Sequence, residues 1–248
     1  MTLSYDFAPV PIREDLLAAH RNQWSRLARP GAWWTGAQRL AIAREVRRAA
    51  TCELCCKRKE SLSPYTVEGE HEGSELLPAA AVDVIHRVTT DPGRLTRAWF
   101  DRVLAAGLTA EQYVETVGVI VTVFSIDSFC SGIGVPLHPL PAPVAGEASA
   151  YRPAAARMEK AWVPMLPNGR REGPEGDLWG DMPGGQTGNV VRALSLVPDE
   201  VRGLKELSAA HYMSATEMMD LRRTRRSLDR PQIELIAGRV SALRGCFY

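Results

Sequence analysis

One pattern restricts this chain more than any other: an apolar-periodic segment that runs straight into a Cys-x-x-Cys, Gln38 to Cys56, read QRLAIAREVRRAATCELCC. Leu40, Ala43, Val46 and Ala50 fall on one stripe at helical spacing, which predicts a helix from about Gly36 through Ala50 with Thr35 as its N-cap. The unit recurs near the other end as Gln232 to Cys246, QIELIAGRVSALRGC. With Cys52 set on Cys246, Gln38 falls on Gln232, Ile42 on Ile236, Ala43 on Ala237 and Val46 on Val240, without a gap. A helix-then-cysteine unit is thus present twice, and the second stops two residues after its cysteine. His20 and His211 each follow a pair of alanines, a further echo of duplication.

Helical spacing dominates elsewhere. Leu16, Leu17, Trp24 and Leu27 mark a helix over Arg13 to Leu27, broken by Arg29-Pro30-Gly31. Leu76 to Thr90 and Leu95 to Ala106 read as two more amphipathic helices around the Asp91-Pro92-Gly93 turn, and Gly107 ends the second. Thr109 caps a segment from Ala110 to Phe129 whose centre, VGVIVTVF, is rich in β-branched residues. Propensity alone would make that centre a buried strand; its length and its helical neighbours favour a helix. From Pro136 to Pro198, which holds ten of the seventeen prolines, the chain reads as a linker or an irregular wrapping segment, with short helices around Arg157 and Val190. Periodicity returns at Glu200 to Leu207 and Ala215 to Arg223, and Asp229-Arg230-Pro231 opens the last helix. The expectation is an all-α chain in three parts: a helical domain over 13–135, a Pro/Gly-rich linker over 136–198 and a partial second repeat over 199–248.

The formal net charge of +1 gives no sign of a nucleic-acid surface, and Arg222, Arg223, Arg225 and Arg226 read as a solvated face. The start, MTLSYDFAPVP, has neither the basic beginning nor the apolar core of a signal peptide. The longest apolar run, around Val117 to Ile126, is too short to cross a bilayer as a helix. The expectation is a cytoplasmic protein without membrane or nucleic-acid partners. Three of the five cysteines, Cys52, Cys55 and Cys56, crowd one turn, and the remaining two are Cys130 and Cys246. Without a secretion signal, that pattern favours redox or metal chemistry over a disulfide framework.

The striped helix followed by Cys-x-x-Cys resembles the alkylhydroperoxidase and carboxymuconolactone-decarboxylase-like family. GLTAEQYVETVGVIVTVFSIDSF with the following GVPLHPLPAP is similar to the later helices of its peroxidase-related branch, and LDRPQIELIAGRVSALRGCFY is similar to its signature helix. The resemblance implies an all-α bundle, usually homo-oligomeric, that reduces peroxides with two cysteines and a dithiol reductant and needs no cofactor. The family signature places a Glu twelve residues before the first Cys and a His four after the second. Here those positions are Leu40 and Lys59, whereas the second unit keeps Glu234 and Cys246. A selenocysteine codon after Tyr248, read as a stop, would end the second unit where it ends. By resemblance, Cys55 attacks peroxide to give a sulfenic acid and Cys52 resolves it as a disulfide.

The residue types support such chemistry on their own terms. A Cys-x-x-Cys at a helix start puts both sulfurs on one turn, where the helix N-terminus and nearby cations raise the thiolate fraction. Lys57, Arg58 and Lys59 supply cations, although none shuttles a proton at neutral pH as a histidine does. Glu45, seven residues before Cys52, lies on nearly the same helical face and offers a carboxylate; the plainer reading is a solvated charge. Asp83 with His86, and Glu111 with Glu115, form pairs one turn apart that suit a proton relay or a carboxylate-rich metal site, against a plainer reading as a core His and surface carboxylates. A zinc site from Cys52, Cys55 and His71 lacks a second ligand pair in the sequence. Cys56 reads as a buried small apolar residue or an alternative resolving partner, and Cys130 as structural. The expected catalytic set is Cys52, Cys55, Glu45, Lys59, His86 and Glu115, with Glu234 and Cys246 from the second unit, and no metal. Three function classes follow: a thiol-dependent oxidoreductase of peroxidase type, a cysteine-independent lyase of the decarboxylase branch, and a non-catalytic helical binding module. The cysteine pair argues for the first.

Overall fold

In the computed structural model, residues 3–169, 172–222, 227–243, 245 and 246 are described. In chain order they form α1 (Glu14–Leu27), α2 (Gly36–Ala49), α3 (Glu53–Glu60), α4 (Ala79–Thr90), α5 (Arg97–Ala105), α6 (Ala110–Gly132), α7 (Asn189–Arg192), α8 (Pro198–His211), α9 (Ala215–Met219) and α10 (Arg230–Leu243). Among the described residues no strand forms, so the fold is all-α, with one isolated antiparallel bridge between Arg157 and Met165. The helix expected around Arg157 is replaced by that bridge, and the one around Val190 is the single turn α7. The expected helix over 215–223 is only α9, and residues 223–226, including Arg223, Arg225 and Arg226, lie outside the described residues.

Local chemistry sets the helix starts. The Thr35 hydroxyl accepts the Gln38 N–H while the Gln38 side chain accepts the Thr35 N–H, a reciprocal cap that fixes the entry to α2. Thr109 and Gln112 do the same for α6. Asp229 and Gln232 exchange the equivalent bonds at α10. The β-branched centre of α6 does not become a strand: the cap starts a 23-residue helix, and tertiary packing overrides propensity. By length and composition α6 could cross a membrane, but 56% of its apolar window is buried inside the fold, as befits a core helix.

α2, α4 and α6 pack against one another, α6 also meets α8, and α8 lies along α1. Their shared core holds Leu40, Ile42, Ile85, Phe100, Ile126 and Val201, all 0–1% exposed. Burial of each such side chain is worth roughly 1.5–3 kcal/mol. The proline-rich segment wraps this core. Its Val144, Ser149 and Ala150 N–H groups bond the Ala28, Gly31 and Ala32 carbonyls, and Leu166, Leu178 and Trp179 are buried in the same cluster.

α2 is buried on most of its surface and carries two charged residues inward on different faces, Arg39 and Glu45. Arg39 ion-pairs with Glu115 of α6 and Glu200 of α8, and Arg26 of α1 holds Glu200 through two bonds of 2.8 and 2.9 Å. Four helices are thereby tied by charges out of water. Gly118 makes this possible, since a Cβ there would lie 2.2 Å from the Glu200 Oε2. Glu45 faces the other way, toward the cysteines.

Candidate functional site

Cys52 is the N-cap of α3, and its carbonyl accepts the Cys56 N–H in the first turn. The Cys55 N–H bonds the Cys52 sulfur, which therefore sits at the positive end of the helix. Cys55 points inward and is 4% exposed, Cys52 is half-buried, and Cys56 is exposed on the outer face of the turn rather than a buried apolar residue.

Two imidazoles approach the pair from other segments. His86, fully buried on α4, sets its Nδ1 3.4 Å from the Cys55 sulfur, while its Nε2 lies 3.2 Å from the Glu45 carboxylate of α2. His71 comes from the loop over 61–78, with its Nδ1 3.5 Å from the Cys52 sulfur and 3.9 Å from that of Cys55. Its Nε2 is 3.2 Å from Asp83 of α4. The loop is held in place by Arg58, which reaches the Val67 carbonyl and Asp83, and by Arg94, which reaches the Arg58 and Ser61 carbonyls. Asp83 collects donors from His71, Arg58, Arg87 and the Trp99 indole. Arg58 Nη1 also lies 2.9 Å from His71 Nε2; both are donors converging on Asp83 when His71 carries its Nε2 proton. The outcome is two parallel chains, Glu45–His86–Cys55 and Asp83–His71–Cys52, whose rings lie 4.2 Å apart.

The electrostatics differ between the chains. Burial raises the Cys52 thiol, but the Cys55 N–H, His71 and the Cys55 side chain together bring it below its ordinary value. Burial lowers His71, yet its bonds to Asp83 and the two sulfurs hold it up at about 10. Asp83 is opposed by burial but pulled well below the carboxylate range by His71, Trp99, Arg87 and Arg58. Burial lowers His86, with neighbouring His71 adding to this against the pull of Glu45, so His86 is neutral at neutral pH. Cys52 and His71 thus favour a thiolate–imidazolium pair, whereas His86 is an available proton acceptor beside Cys55.

An open cavity of about 520 Å³ leads to Cys52, lined also by Glu53, Glu68, Glu70, Glu72, Arg48 and Lys57. A neighbouring cavity of about 440 Å³ reaches His71 and Asp83 and shares Gly69 and Glu70 with the first.

Of the expected site residues, Cys52, Cys55, Glu45 and His86 come together. Glu45 is 1% exposed rather than a solvated charge. Lys59 does not join them; it is exposed, and its backbone carbonyl accepts a bond from Arg94. Glu115 is spent on Arg39 and the Trp33 N–H, and Glu111 pairs with Arg152, so neither serves the cysteines. Glu234 sits on exposed α10 and bonds Tyr212 and Arg230, and Cys246 is exposed beyond the end of α10. Asp83 and His86, paired in the sequence by their spacing, serve different chains. His71 entered the sequence reading only as a zinc ligand, and its partnership with Asp83 had no signal because the loop carries no period. His20 and His211, noted only as echoes, touch through their Nε2 atoms at 2.6 Å. Comparison with family models, curated proteins and solved structures finds no match to this chain.

Proposed function

We propose that this chain is a thiol-dependent oxidoreductase that reduces hydroperoxides through Cys52 and Cys55, with a dithiol as the electron donor. The observation that carries this reading is the pair of carboxylate–imidazole–thiol chains on one Cys-x-x-Cys turn. The histidine missing at Lys59 is supplied by His86, and the glutamate missing at Leu40 by Glu45, both from other positions in the chain.

The geometry favours Cys52 rather than Cys55 as the attacking sulfur, since Cys52 lines the cavity and is the stabilised thiolate. The Cys52 thiolate attacks the terminal peroxide oxygen; the O–O bond breaks, the departing alkoxide takes a proton, and Cys52 becomes a sulfenic acid. His71, protonated and beside the sulfur, is positioned to supply that proton. His86 then accepts the Cys55 proton, the Cys55 sulfur attacks Cys52, and the departing hydroxide takes that proton from His86 and leaves as water while the disulfide forms. A dithiol reduces the disulfide by exchange and is itself oxidised, which restores both thiols.

The test is peroxide consumption by the reduced protein with a dithiol reductant. Cys52→Ser should abolish both turnover and sulfenic acid formation, whereas Cys55→Ser should form a persistent sulfenic acid on Cys52. Unchanged consumption in both variants would sink the reading and favour a cysteine-independent reaction.

A further inference from the structure

We infer that reduced Cys52, Cys55, His71 and His86 form a closed tetrahedral binding site for Zn2+. Their donor atoms, two sulfurs and two imidazole nitrogens, lie within 4.8 Å of one another. A tetrahedron with bonds of about 2.3 Å to sulfur and about 2.0–2.1 Å to nitrogen has S···N edges of roughly 3.5 Å. The measured edges are 3.5 Å for Cys52–His71, 3.9 Å for Cys55–His71 and 3.4 Å for Cys55–His86. The cluster is therefore near ligand spacing already.

Orientation supports the same conclusion. Both rings aim Nδ1 at the sulfurs and give Nε2 to a carboxylate, Asp83 for His71 and Glu45 for His86. A carboxylate behind an imidazole fixes its tautomer and strengthens it as a metal ligand. Two thiolates, two neutral imidazoles and a divalent cation sum to zero charge, which suits a pocket where Cys55 and His86 are 4% and 0% exposed. Two sulfurs with two nitrogens in a tetrahedron select zinc over magnesium or calcium, which require oxygen. Binding forms two Zn–S and two Zn–N bonds and releases two protons to solvent, one from the Cys55 thiol and one that the Cys52–His71 pair holds on the imidazole; no electron moves.

Four protein ligands leave no open position, so the ion would hold the fold rather than activate water. It would also withhold both sulfurs from oxidants. The site itself rests on the four donor atoms and not on the redox reading. The acidic mouth of the cavity, with Glu53, Glu68, Glu70 and Glu72 against Arg48 and Lys57, favours entry of a cation.

The experiment titrates the reduced, metal-free full chain with Zn2+ against a competing chelator, and separately with Co2+ as a spectroscopic probe. One equivalent of Zn2+ should bind, and Co2+ should give intense tetrahedral bands with a thiolate charge-transfer transition. His71→Asn, His86→Asn and Cys52→Ser should each weaken Zn2+ binding at least tenfold, while Cys246→Ser should leave it unchanged. Absence of the charge-transfer transition, or undiminished affinity in folded His71→Asn and Cys52→Ser, overturns the inference. Those two variants decide the matter if His86→Asn fails to fold, as judged by circular dichroism. Zinc binding by a chain that, stripped of metal, consumes no peroxide sinks only the redox reading. Peroxide turnover by a chain that binds no Zn2+ sinks only this inference.

Discussion

Glu45→Gln isolates the charge behind His86 with little change of shape. Glu45 is 1% exposed, 3.2 Å from His86 Nε2 and 3.4 Å from Arg48. Gln retains an oxygen to accept the His86 N–H, and Arg48 is half exposed and stays solvated. The variant should therefore fold. In the proposed cycle the charge matters when His86 takes a proton from Cys55. At 3.2 Å and an effective dielectric near 20, a carboxylate stabilises an imidazolium by roughly 5 kcal/mol. The Gln dipole returns about half, leaving a loss of roughly 2–3 kcal/mol, or at most about thirty- to 160-fold in rate. The affected step is closure of the disulfide, not attack on peroxide. In a stopped-flow single turnover of the reduced protein, sulfenic acid should form at the wild-type rate and persist long enough for a dimedone-type probe to trap it. Closure slowed less than threefold, or attack slowed as much as closure, refutes the assignment of Glu45 and His86 to Cys55.

Iodoacetamide at neutral pH should alkylate Cys52 before the exposed Cys56, because its thiolate is favoured; peptide mass spectrometry that finds Cys56 modified first contradicts this. Glu200→Ala leaves buried Arg39 with Glu115 alone and half-buried Arg26 without a carboxylate, and should cost about 3–5 kcal/mol, a fall in Tm of roughly 6–20 °C by calorimetry. Burial raises the Glu200 carboxyl, but the two arginines bring it down to about 2, while Glu115, with burial outweighing its single arginine, is raised. A depressed folded pKa stabilises above the unfolded value of 4.5 and loses that effect as pH falls toward about 2, so the stability difference between wild type and Glu200→Gln should shrink across that window in acid denaturation. Gly118→Ala should destabilise by about 1–3 kcal/mol through collision with Glu200. Gly132→Ala, at the open end of α6, meets nothing within 4 Å and should gain up to about 1 kcal/mol; equal effects at the two positions would refute the close-approach argument.

What the sequence made legible follows from range. Helical stripes and reciprocal caps are short-range signals, so α1, α2, α4, α5 and α6 stand within a few residues of their expected positions. The Cys-x-x-Cys with Glu45 behind it was legible because all three lie within eleven residues, at the end of α2 and the start of α3. The reach of His86 to Cys55 and Glu45 depends on α4 packing against α3 and α2, which no local period encodes. His71 was harder still, since a loop fixed by Arg58 and Arg94 carries it. Glu115 was misread because a carboxylate on an apolar helix looks the same whether it meets a thiol or, as here, an arginine from α2.

The six side chains of the cysteine cluster, Glu45, Cys52, Cys55, His71, Asp83 and His86, all fall in one uninterrupted stretch, whereas the ion-pair cluster draws Arg26, Arg39, Glu115 and Glu200 from most of the chain's length. The cysteine cluster is therefore compact in sequence as well as in space. An exchange of sequence outside residues 45–86 leaves every group of the cluster in place and alters only the scaffold that presents them. A single crossover inside that stretch divides the cluster, and it also parts Arg26 and Arg39 from Glu115 and Glu200.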